Sequence, residues 1–436
     1  MNVREAAFLS LGKCLCGDKF SNLELDSAIK KYGFSPSDKA FFTTLVYGVI
    51  EKKLTLDYVI GHFSSKPIDK IEPKLINILR LGAYQIIYLD RTPDSAAVNE
   101  SVELAKKHTH KGTSGFVNGI LRNIARNKNA LPFPDRSGDP MGYLSVKYSL
   151  PIWLCQKWSE DYGENKAEEI LSAVNVNPPI TLRVNTLKTT RDELLARLRS
   201  KGIDAEKTSL SGNGVKLMKS VAVSELDVLD EGLCYVQDEA SQLCVSALGA
   251  KAEETVIDTC SCPGGKSFGI AMDMGNKGRL ISLDIHESKL SLVKNGAEKL
   301  GISIIDASVH NGSTPKDELI GKADRVLTDA PCSGLGVIAK KPDLRHKSFD
   351  DISRLPDIQY KILCSSSEYV KSGGVLVYST CTLNKDENER VVEKFLENNG
   401  EFSLSGEGMP FDEPMLTLFP SEHGTDGFFI AKMIRA

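Results

Sequence analysis

The sequence predicts a multidomain protein in which an all-α N-terminal domain, a small α+β module and a C-terminal α/β domain follow one another. Three observations lead to this prediction. Apolar residues recur at helical spacing up to about residue 128, a stretch rich in Pro, Gly and Asp follows at 129–140, and strand-like and helical runs alternate from about residue 236. The predicted domains are therefore residues 1–130, 145–235 and 236–436.

Consecutive amphipathic helices make up the first predicted domain. Apolar side chains recur every three or four residues in two clear stretches, 41–50 and 116–124. Ser35 and Thr92 each precede a proline in the pattern of a helix start, where a small oxygen-bearing side chain caps the first turn. Strand-like alternation is not evident here, so helices alone are predicted.

A basic stretch lies within this helical domain. The whole chain has a formal net charge of −4, which argues against a uniformly basic nucleic-acid-binding protein, but residues 104–134 contain no Asp or Glu. A solvated helix face is the simpler interpretation, and an RNA-binding face is preferred only if the rest of the chain calls for a polyanionic substrate. The residues of this candidate RNA-binding face are Lys106, Lys107, Lys111, Arg122, Arg126 and Lys128.

The other two domains are predicted from strand signals. Residues 180–184 alternate like a strand, and Thr190 with Glu193 has the pattern of a capping box that opens a helix. In the C-terminal domain, repeated alternation of short apolar runs with helical or loop stretches favours a doubly wound, mostly parallel sheet with helices on both faces. The apolar runs are 255–257, 279–283, 325–327, 375–377 and a last strand at 427–431.

The composition also indicates the cellular compartment in which the protein is expected. No apolar run approaches the roughly 20 residues needed to span a bilayer, and the N-terminus lacks a cationic segment leading into an apolar core. Ten cysteines do not make a disulfide scaffold in a chain of this size, and neither of the closely spaced pairs has the usual zinc spacing. We therefore expect a cytoplasmic protein with no membrane association and no bound metal. We also expect it to be a monomer.

The loop after the first strand of the C-terminal domain is the candidate cofactor site. It reads DTCSCPGGKS at 258–267, and its small residues let the backbone approach a ligand closely. Position 260 is Cys where a Walker motif needs Gly, and no G-x-G-x-x-G fingerprint is present, so no polyphosphate cradle is indicated. Asp284 ends the next strand, where an acid suits the hydroxyls of a ribose. S-adenosylmethionine matches this pattern; an ordinary strand-to-helix turn is the alternative.

Two cysteines stand just past strand-like runs, Cys332 after 325–328 and Cys381 after 375–378. Residues beyond the carboxyl ends of neighbouring strands line the ligand crevice of an open α/β sheet, so both thiols can face one pocket. A thiolate added to C6 of a cytosine makes C5 nucleophilic toward a sulfonium methyl, and loss of the C5 proton then releases the thiol. Asp329 is placed to hydrogen-bond N3 and the exocyclic amine of the base.

Amino methylation of adenine is the main alternative chemistry. Enzymes of that type carry a D/N-P-P-aromatic turn at this point, which stacks the base. Here the turn reads DAPC at 329–332, with a thiol where the stacking ring would be, so methylation of a pyrimidine carbon is favoured. Five other cysteines are interpreted as small buried hydrophobic residues: Cys14, Cys155, Cys234, Cys244 and Cys364.

These motifs resemble those of the Nop/Sun family of RNA cytosine-C5 methyltransferases. Three main motifs match, at 258–266, 329–334 and 378–382, as do further signatures at 236–243 and 182–186. The helical N-terminus resembles the NusB-like domain of members that methylate one cytosine of 16S ribosomal RNA, so the resemblance covers essentially the whole chain. It implies a NusB-like domain, an RRM-like module and a Rossmann-like, S-adenosylmethionine-dependent catalytic domain.

The resemblance also implies roles for single residues. Cys381 would be the attacking nucleophile, and Cys332 would help to release the product. Ser261 and Cys262 stand where the family usually has alanines, and all of these residues are small. Asn311 aligns with an acidic residue near the cofactor adenine, so that contact would be uncharged. The implied cofactor-binding residues are Cys260, Ser261, Cys262, Pro263, Gly264, Gly265, Lys266, Asp284, Asn311 and Asp329.

Three candidate functions follow. The first is methylation of C5 of a cytosine in 16S ribosomal RNA, through an adduct between a cysteine and C6, with unassembled or partly assembled small-subunit RNA as the partner. The second is the same reaction on transfer RNA. The third is a non-catalytic RNA-binding or assembly factor with a vestigial pocket. The presence of both thiols, the acid and the cofactor turn favours an enzyme.

Overall fold

A computed structural model of the chain describes residues 2–15, 17, 19–219, 221 and 225–436. Residue contacts divide the chain into two units. One extends to Asn175 and includes Lys341–Lys347, and the other comprises Val176–Lys340 and Ser348–Ala436. In these described ranges, every helix is too short or too polar to cross a membrane.

The first unit is all-α, as predicted. Ser35 caps its third helix by accepting a hydrogen bond from the Asp38 backbone N–H at 3.2 Å, with Pro36 in the first turn. The cap predicted at Thr92 does not form, because Pro93 occupies the N-cap position of the sixth helix and its side chain cannot accept a hydrogen bond. The helices are α1 Val3–Leu15, α2 Ser21–Tyr32, α3 Pro36–Glu51, α4 Lys53–Phe63, α5 Pro73–Tyr88, α6 Asp94–His108, α7 Thr113–Asn127, α8 Pro140–Tyr148, α9 Ile152–Tyr162 and α10 Glu164–Ala173.

Helices α8–α10 lie in the first unit, whereas the sequence placed the end of the helical domain near residue 130. The stretch before α8 has no helix or strand, in agreement with the predicted linker. Polar contacts nevertheless join the residues that follow α8 and α10 to the start of α4 and the residue before it. The Leu54 N–H donates to Ser149 Oγ at 3.1 Å, and Lys52 Nζ donates to Asn175 Oδ1 at 2.7 Å.

The segment Lys341–Lys347 also belongs to the first unit, although the sequence assigned it to the catalytic domain. Arg345 is 1% exposed and donates from Nη2 to the Val174 carbonyl at 2.8 Å. His346 Nε2 lies 3.1 Å from the Ile50 carbonyl oxygen, and burial lowers the pKa of this imidazole to about 4. The neutral ring therefore donates to a helix carbonyl at physiological pH.

A small antiparallel sheet with two helices opens the second unit, which confirms the α+β module. Its core contains the buried side chains of Leu182, Val184 and Leu194. Thr190 and Glu193 form the predicted capping box. The strands are β1 Thr181–Val184, β2 Ala205–Lys207, β3 Gly214–Leu217 and β4 Cys234–Val236, in the order β2-β3-β1-β4, and the helices are α11 Arg191–Ser200 and α12 Asp227–Asp230.

An eight-stranded sheet forms the rest of the second unit. Its strands are β5 Thr255–Asp258, β6 Arg279–Asp284, β7 Ile305–Val309, β8 Ala323–Asp329, β9 Val370–Thr380, β10 Phe402–Leu404, β11 Met415–Leu418 and β12 Phe428–Arg435. The accompanying helices are α13 Glu239–Leu248, α14 Gly265–Asp273, α15 Glu287–Leu300, α16 Leu355–Ser367, α17 Glu389–Asn398 and α18 Pro420–His423.

The order of these strands places the candidate site. Along the sheet they run β10-β12-β9-β8-β5-β6-β7, and β11 pairs with β12. Strands β5 to β9 are parallel, whereas β12 is antiparallel to β9. The chain moves outward in one direction from β5 through β6 and β7, and in the other from β8 to β9. The loops after β5, β6, β8 and β9 therefore surround the switch point between β5 and β8, where open α/β sheets bind ligands.

Candidate active site

The loop after β5 is tightly folded against the next strand. The Ser261 N–H donates to the Leu283 carbonyl at 2.8 Å, and the Gly264 N–H donates back to the Ser261 carbonyl at 2.7 Å. Gly264 has a φ of +110°, and a Cβ at this position would lie 2.5 Å from the Phe268 ring. Only glycine therefore suits this turn, which lets α14 begin directly at the ligand side of the sheet.

Asp284 ties this loop to the end of β6. Its Oδ2 accepts a hydrogen bond from the Cys262 N–H at 3.0 Å, and its Oδ1 accepts one from the His286 N–H at 2.9 Å. The side chain is half-buried, and each carboxylate oxygen keeps a lone pair beyond these contacts. Asp284 can thus hold the loop and accept hydrogen bonds from two ribose hydroxyls at the same time.

Beneath the loop, two buried oxygen atoms lack hydrogen-bond partners in the structure, Asp258 Oδ1 and Ser261 Oγ. The other oxygen of Asp258 accepts from Ser267 Oγ at 2.6 Å. Burial raises the pKa of Asp258 to about 7, since a charge there is poorly solvated. Buried polar atoms are normally paired, so these two are suited to a polar ligand or water.

Lys266 contacts Asp329 on the neighbouring strand. Its Nζ lies 2.6 Å from Asp329 Oδ2 and 5.1 Å from the centre of the Phe428 ring. Burial opposes the ammonium charge, but the nearby Asp329 carboxylate outweighs it, and the pKa of Lys266 rises above its ordinary value. Ser379 Oγ donates to the other oxygen, Asp329 Oδ1, at 2.9 Å. Lys266 and Ser379 thus orient Asp329.

The two predicted thiols meet. The Sγ atoms of Cys332 and Cys381 are 3.2 Å apart, which is too far for the roughly 2.05 Å of a disulfide bond and close enough for a hydrogen bond between thiols. Hydrogen bonding to Cys381 and burial raise the pKa of Cys332 well above its ordinary value. Cys332 therefore holds its proton and can donate it toward the Cys381 sulfur.

Glu387 is a buried acid beside the thiols, and no sequence motif points to it. Its Oε2 accepts from the Ser333 N–H at 2.8 Å and from Gln359 Nε2 at 2.9 Å, and Asn384 Nδ2 donates to its Oε1 at 3.0 Å. The signal available in the sequence is the polar run NKDENE at 384–389, which directly follows the Cys381 loop and ends at the first residue of α17.

Asn311 lies in the exposed loop after β7. Its side-chain Oδ1 accepts a hydrogen bond from the Ser313 N–H at 3.1 Å. That carbonyl oxygen is the atom expected to accept from an adenine amine. It has a second lone pair, so the contact with Ser313 leaves one acceptor position for a ligand.

The six basic residues of the candidate RNA-binding face form two groups at opposite ends of α6. Near its last turn, Lys107 Nζ lies 2.6 Å from Glu5 Oε1, and at its first residue Asp94 pairs with Lys128 at 2.9 Å. These ends are about 20 Å apart at 1.5 Å per residue. Arg122 and Arg126 border a surface pocket next to Asp94. The closeness of these six residues in the sequence predicts a single basic patch, whereas the structure shows two.

The other cysteines divide by burial. Cys155, Cys234 and Cys244 are buried, in keeping with small hydrophobic residues, whereas Cys14 and Cys364 are half-buried. Burial raises the pKa of all five thiols above its ordinary value. Over the residues that the structure describes, no three His, Cys, Asp or Glu side chains cluster as metal ligands would.

Comparisons with known proteins agree with this architecture. Family models match along the chain: the NusB family at 1–126, the ferredoxin-like domain of RsmF/B-like methyltransferases at 150–224, and 16S rRNA methyltransferase RsmB/F at 245–434. The probable ribosomal RNA small subunit methyltransferase B of Bacillus subtilis is 41% identical, over 99% of this chain and 98% of its own. The chain belongs to the ribosomal RNA small subunit methyltransferase B family. Its resemblance to Nop/Sun-type enzymes is thereby confirmed.

Solved structures of similar proteins support the fold of this family member. The crystal structure of PH0851 is 27% identical and has a TM-score of 0.82, covering 100% of this chain and 98% of its own. A methyltransferase homolog protein from Pyrococcus horikoshii is 28% identical, with a TM-score of 0.60 over 68% of this chain and 99% of its own. The predicted fold class is confirmed, with a ferredoxin-like middle domain. The three domain boundaries remain predictions.

Proposed function

We propose that this protein methylates C5 of a specific cytosine in 16S ribosomal RNA, of the cytosine-967 type, through a transient bond between Cys381 and C6 of the base. The observation that carries the proposal is the 3.2 Å separation of the Cys332 and Cys381 sulfurs at the same sheet edge as Asp329. The relatives named for small-subunit ribosomal RNA support the choice of substrate.

The proposed cofactor is S-adenosylmethionine, which would supply a methyl group carried on a sulfonium. The residues around the loop after β5 fit such a molecule. Asp284 has lone pairs for the ribose, Ser261 Oγ is a buried polar atom without a partner, and the Gly264 turn lets the backbone approach closely. We assign cofactor contact to residues 260–265, Asp284 and Asn311, and give Lys266 the role of orienting Asp329.

In the proposed reaction, the Cys381 thiolate attacks C6 and forms an Sγ–C6 bond. The electron pair of the C5–C6 double bond would shift to C5, which would take the methyl group while the bond from that methyl to the sulfonium sulfur breaks and leaves its electron pair on the sulfur. A base then removes the C5 proton, the C5–H electron pair re-forms the double bond, and the Sγ–C6 bond breaks to return the thiolate. Asp329, held by Lys266 and Ser379, accepts a hydrogen bond from the exocyclic amine of the cytosine.

Cys332 is the proposed base for that last proton. Its pKa is raised chiefly by its hydrogen bond to Cys381. Once Cys381 is bonded to carbon, this hydrogen bond and the adjacent negative charge are gone, so Cys332 loses its own proton to solvent more readily. The Cys332 thiolate can then take the C5 proton, and the thiol is restored at the end of the cycle.

The RNA strand itself is proposed to contact both basic groups of the helical unit. Arg122 and Arg126 are exposed one turn apart on α7, and Lys111 is exposed beyond the end of α6. Lys106, Lys107 and Lys128 already pair with carboxylates, so their contribution to phosphate binding would require exchange of those partners.

Bisulfite sequencing of RNA from a deletion strain tests the proposed function. We expect one 5-methylcytosine signal in 16S ribosomal RNA to disappear, to return with the wild-type chain, and to remain absent with Cys381→Ala. Loss of a signal in transfer RNA instead would overturn the proposed substrate. If every 5-methylcytosine persists, the protein is not this methyltransferase, and a non-catalytic role in RNA binding or assembly becomes the better account.

Asp284→Asn is expected to weaken S-adenosylmethionine binding by about 10- to 100-fold, because the amide offers one acceptor oxygen in place of two while the Cys262 and His286 N–H groups still need partners. Isothermal titration calorimetry with S-adenosylmethionine measures the effect. Asp317→Asn, at an exposed position of the same unit, serves as the matched control and should bind like the wild type. Equal affinities for the two variants would remove Asp284 from the site.

A further inference from the structure

The carboxyl group of Glu387 is completely buried, with 0% of the residue exposed. A buried acid is costly unless its oxygens are hydrogen-bonded, and here four uncharged donors surround it. Besides the Ser333 N–H, Gln359 and Asn384, the Ser333 hydroxyl donates to Oε1 at 2.5 Å. The donors come from three separate stretches of chain, so the carboxyl group joins them at one point.

These donors hold the chain on both sides of Cys332. Ser333 follows the thiol directly and gives two hydrogen bonds to Glu387. On the other side, the Pro331 carbonyl accepts from the same Gln359 amide at 3.0 Å. The residues that flank Cys332 are therefore both fixed to the pair formed by Glu387 and Gln359.

The same network reaches the other thiol. Ser333 Oγ lies 2.7 Å from the hydroxyl oxygen of Thr382, which follows Cys381. The Gly336 N–H donates to the Cys381 carbonyl at 3.0 Å. Glu387 thus lies at the centre of the contacts that set the distance between the two thiol loops.

We propose that Glu387 is a positioning residue that holds Cys332 where it can take the C5 proton after methyl transfer. This inference rests on the proposed function, because it assigns Glu387 to one step of that reaction. Glu387 does not touch the substrate and acts through the backbone and side chain of Ser333.

The two thiols depend on this network to different degrees. Cys381 directly follows β9, whose last residue, Thr380, is paired with Phe429 of β12. Cys332 stands three residues after the end of β8, in a loop without strand pairing. Loss of an acceptor at Glu387 therefore displaces Cys332 more than Cys381. Attack and methyl transfer should continue while release of the product slows.

Glu387→Gln tests this inference with little change in volume. The amide keeps one acceptor oxygen and places two N–H groups against donors that had a carboxylate partner. We expect multiple-turnover methylation to fall about 10- to 100-fold, first-turnover transfer to stay within about threefold of wild type, and a covalent protein–RNA adduct to accumulate on denaturing gels. Glu393→Gln, an exposed position on α17, is the matched control and should behave as wild type.

The outcomes separate this inference from the proposed function. If Cys332→Ala traps an adduct and Glu387→Gln neither traps one nor slows turnover, Glu387 has no positioning role. If neither Cys332→Ala nor Glu387→Gln ever gives an adduct, the covalent reaction itself is wrong. Should thermal melting show that Glu387→Gln does not fold, Ser333→Ala removes one donor of the same network and should show the same pattern to a smaller extent. If the ratio of the first-turnover rate to the multiple-turnover rate is the same in Ser333→Ala as in the wild type, the inference is then wrong.

Discussion

Cys381→Ala is expected to lower the rate of methyl transfer to 16S ribosomal RNA by at least about a thousand-fold. Alanine cannot form a bond to C6, so C5 keeps its aromatic electron distribution and stays a poor nucleophile. The thiol lies 3.2 Å from Cys332 and directly after β9, a position that no other cysteine of the described chain shares. Incorporation of radiolabelled methyl from S-adenosylmethionine into unmethylated 16S RNA measures the rate.

The control for this variant is Cys364→Ala. Cys364 lies on α16 of the same unit and is half-buried, but the proposed reaction does not use it. Its replacement should leave the rate within about twofold, and both variants should bind RNA with similar affinity. Methylation by Cys381→Ala at close to the wild-type rate would assign nucleophilic attack to another group.

Cys332→Ala is expected to stop the enzyme after one methyl transfer. Cys381 can still attack C6 and C5 can still be methylated, but the group proposed to take the C5 proton is missing, so the Sγ–C6 bond persists. We expect multiple-turnover activity to fall by at least about 100-fold, which is the lower end of the loss expected when a general base is removed. A stable protein–RNA adduct should appear on denaturing gels in proportion to the enzyme present.

The double variant Cys332→Ala/Cys381→Ala controls for the adduct. It should give no retarded band, because the sulfur that forms the bond is absent. A band that survives in the double variant would mean that another residue is crosslinked to the RNA. Rapid turnover by Cys332→Ala would assign proton removal to water or to a different side chain.

The thiol pair could be predicted from the sequence because its geometry follows from sheet topology. Cys332 and Cys381 are each placed by a parallel strand, and such strands end at one edge of a sheet. Asp329 follows by the same reasoning, since it ends β8 and is paired in register with Ser379 of β9. Positions tied to strand ends in this way need no knowledge of side-chain contacts.

Other parts of the site depend on contacts that no local pattern reveals. The sequence places Lys266 in the predicted cofactor loop, and no local pattern shows that its long side chain also reaches Asp329 on another strand. Glu387 was not identified, because a buried acid and an exposed one look alike in a polar run at a helix start. The sequence groups the basic residues by proximity, although Lys107 lies near the last turn of the 15-residue helix α6 and Lys128 pairs with Asp94 at its first residue.

The segment Lys341–Lys347 has a consequence for the way the protein is made. The carbonyls of Ile50 and Val174 contact His346 and Arg345. These two residues leave the ribosome only after much of the eight-stranded sheet has been translated. The N-terminal helices consequently cannot acquire their full set of internal contacts while they emerge. For the same reason, no single cut in the polypeptide can yield both units complete. A truncated version of either unit will therefore expose to water polar groups that are buried in the intact molecule.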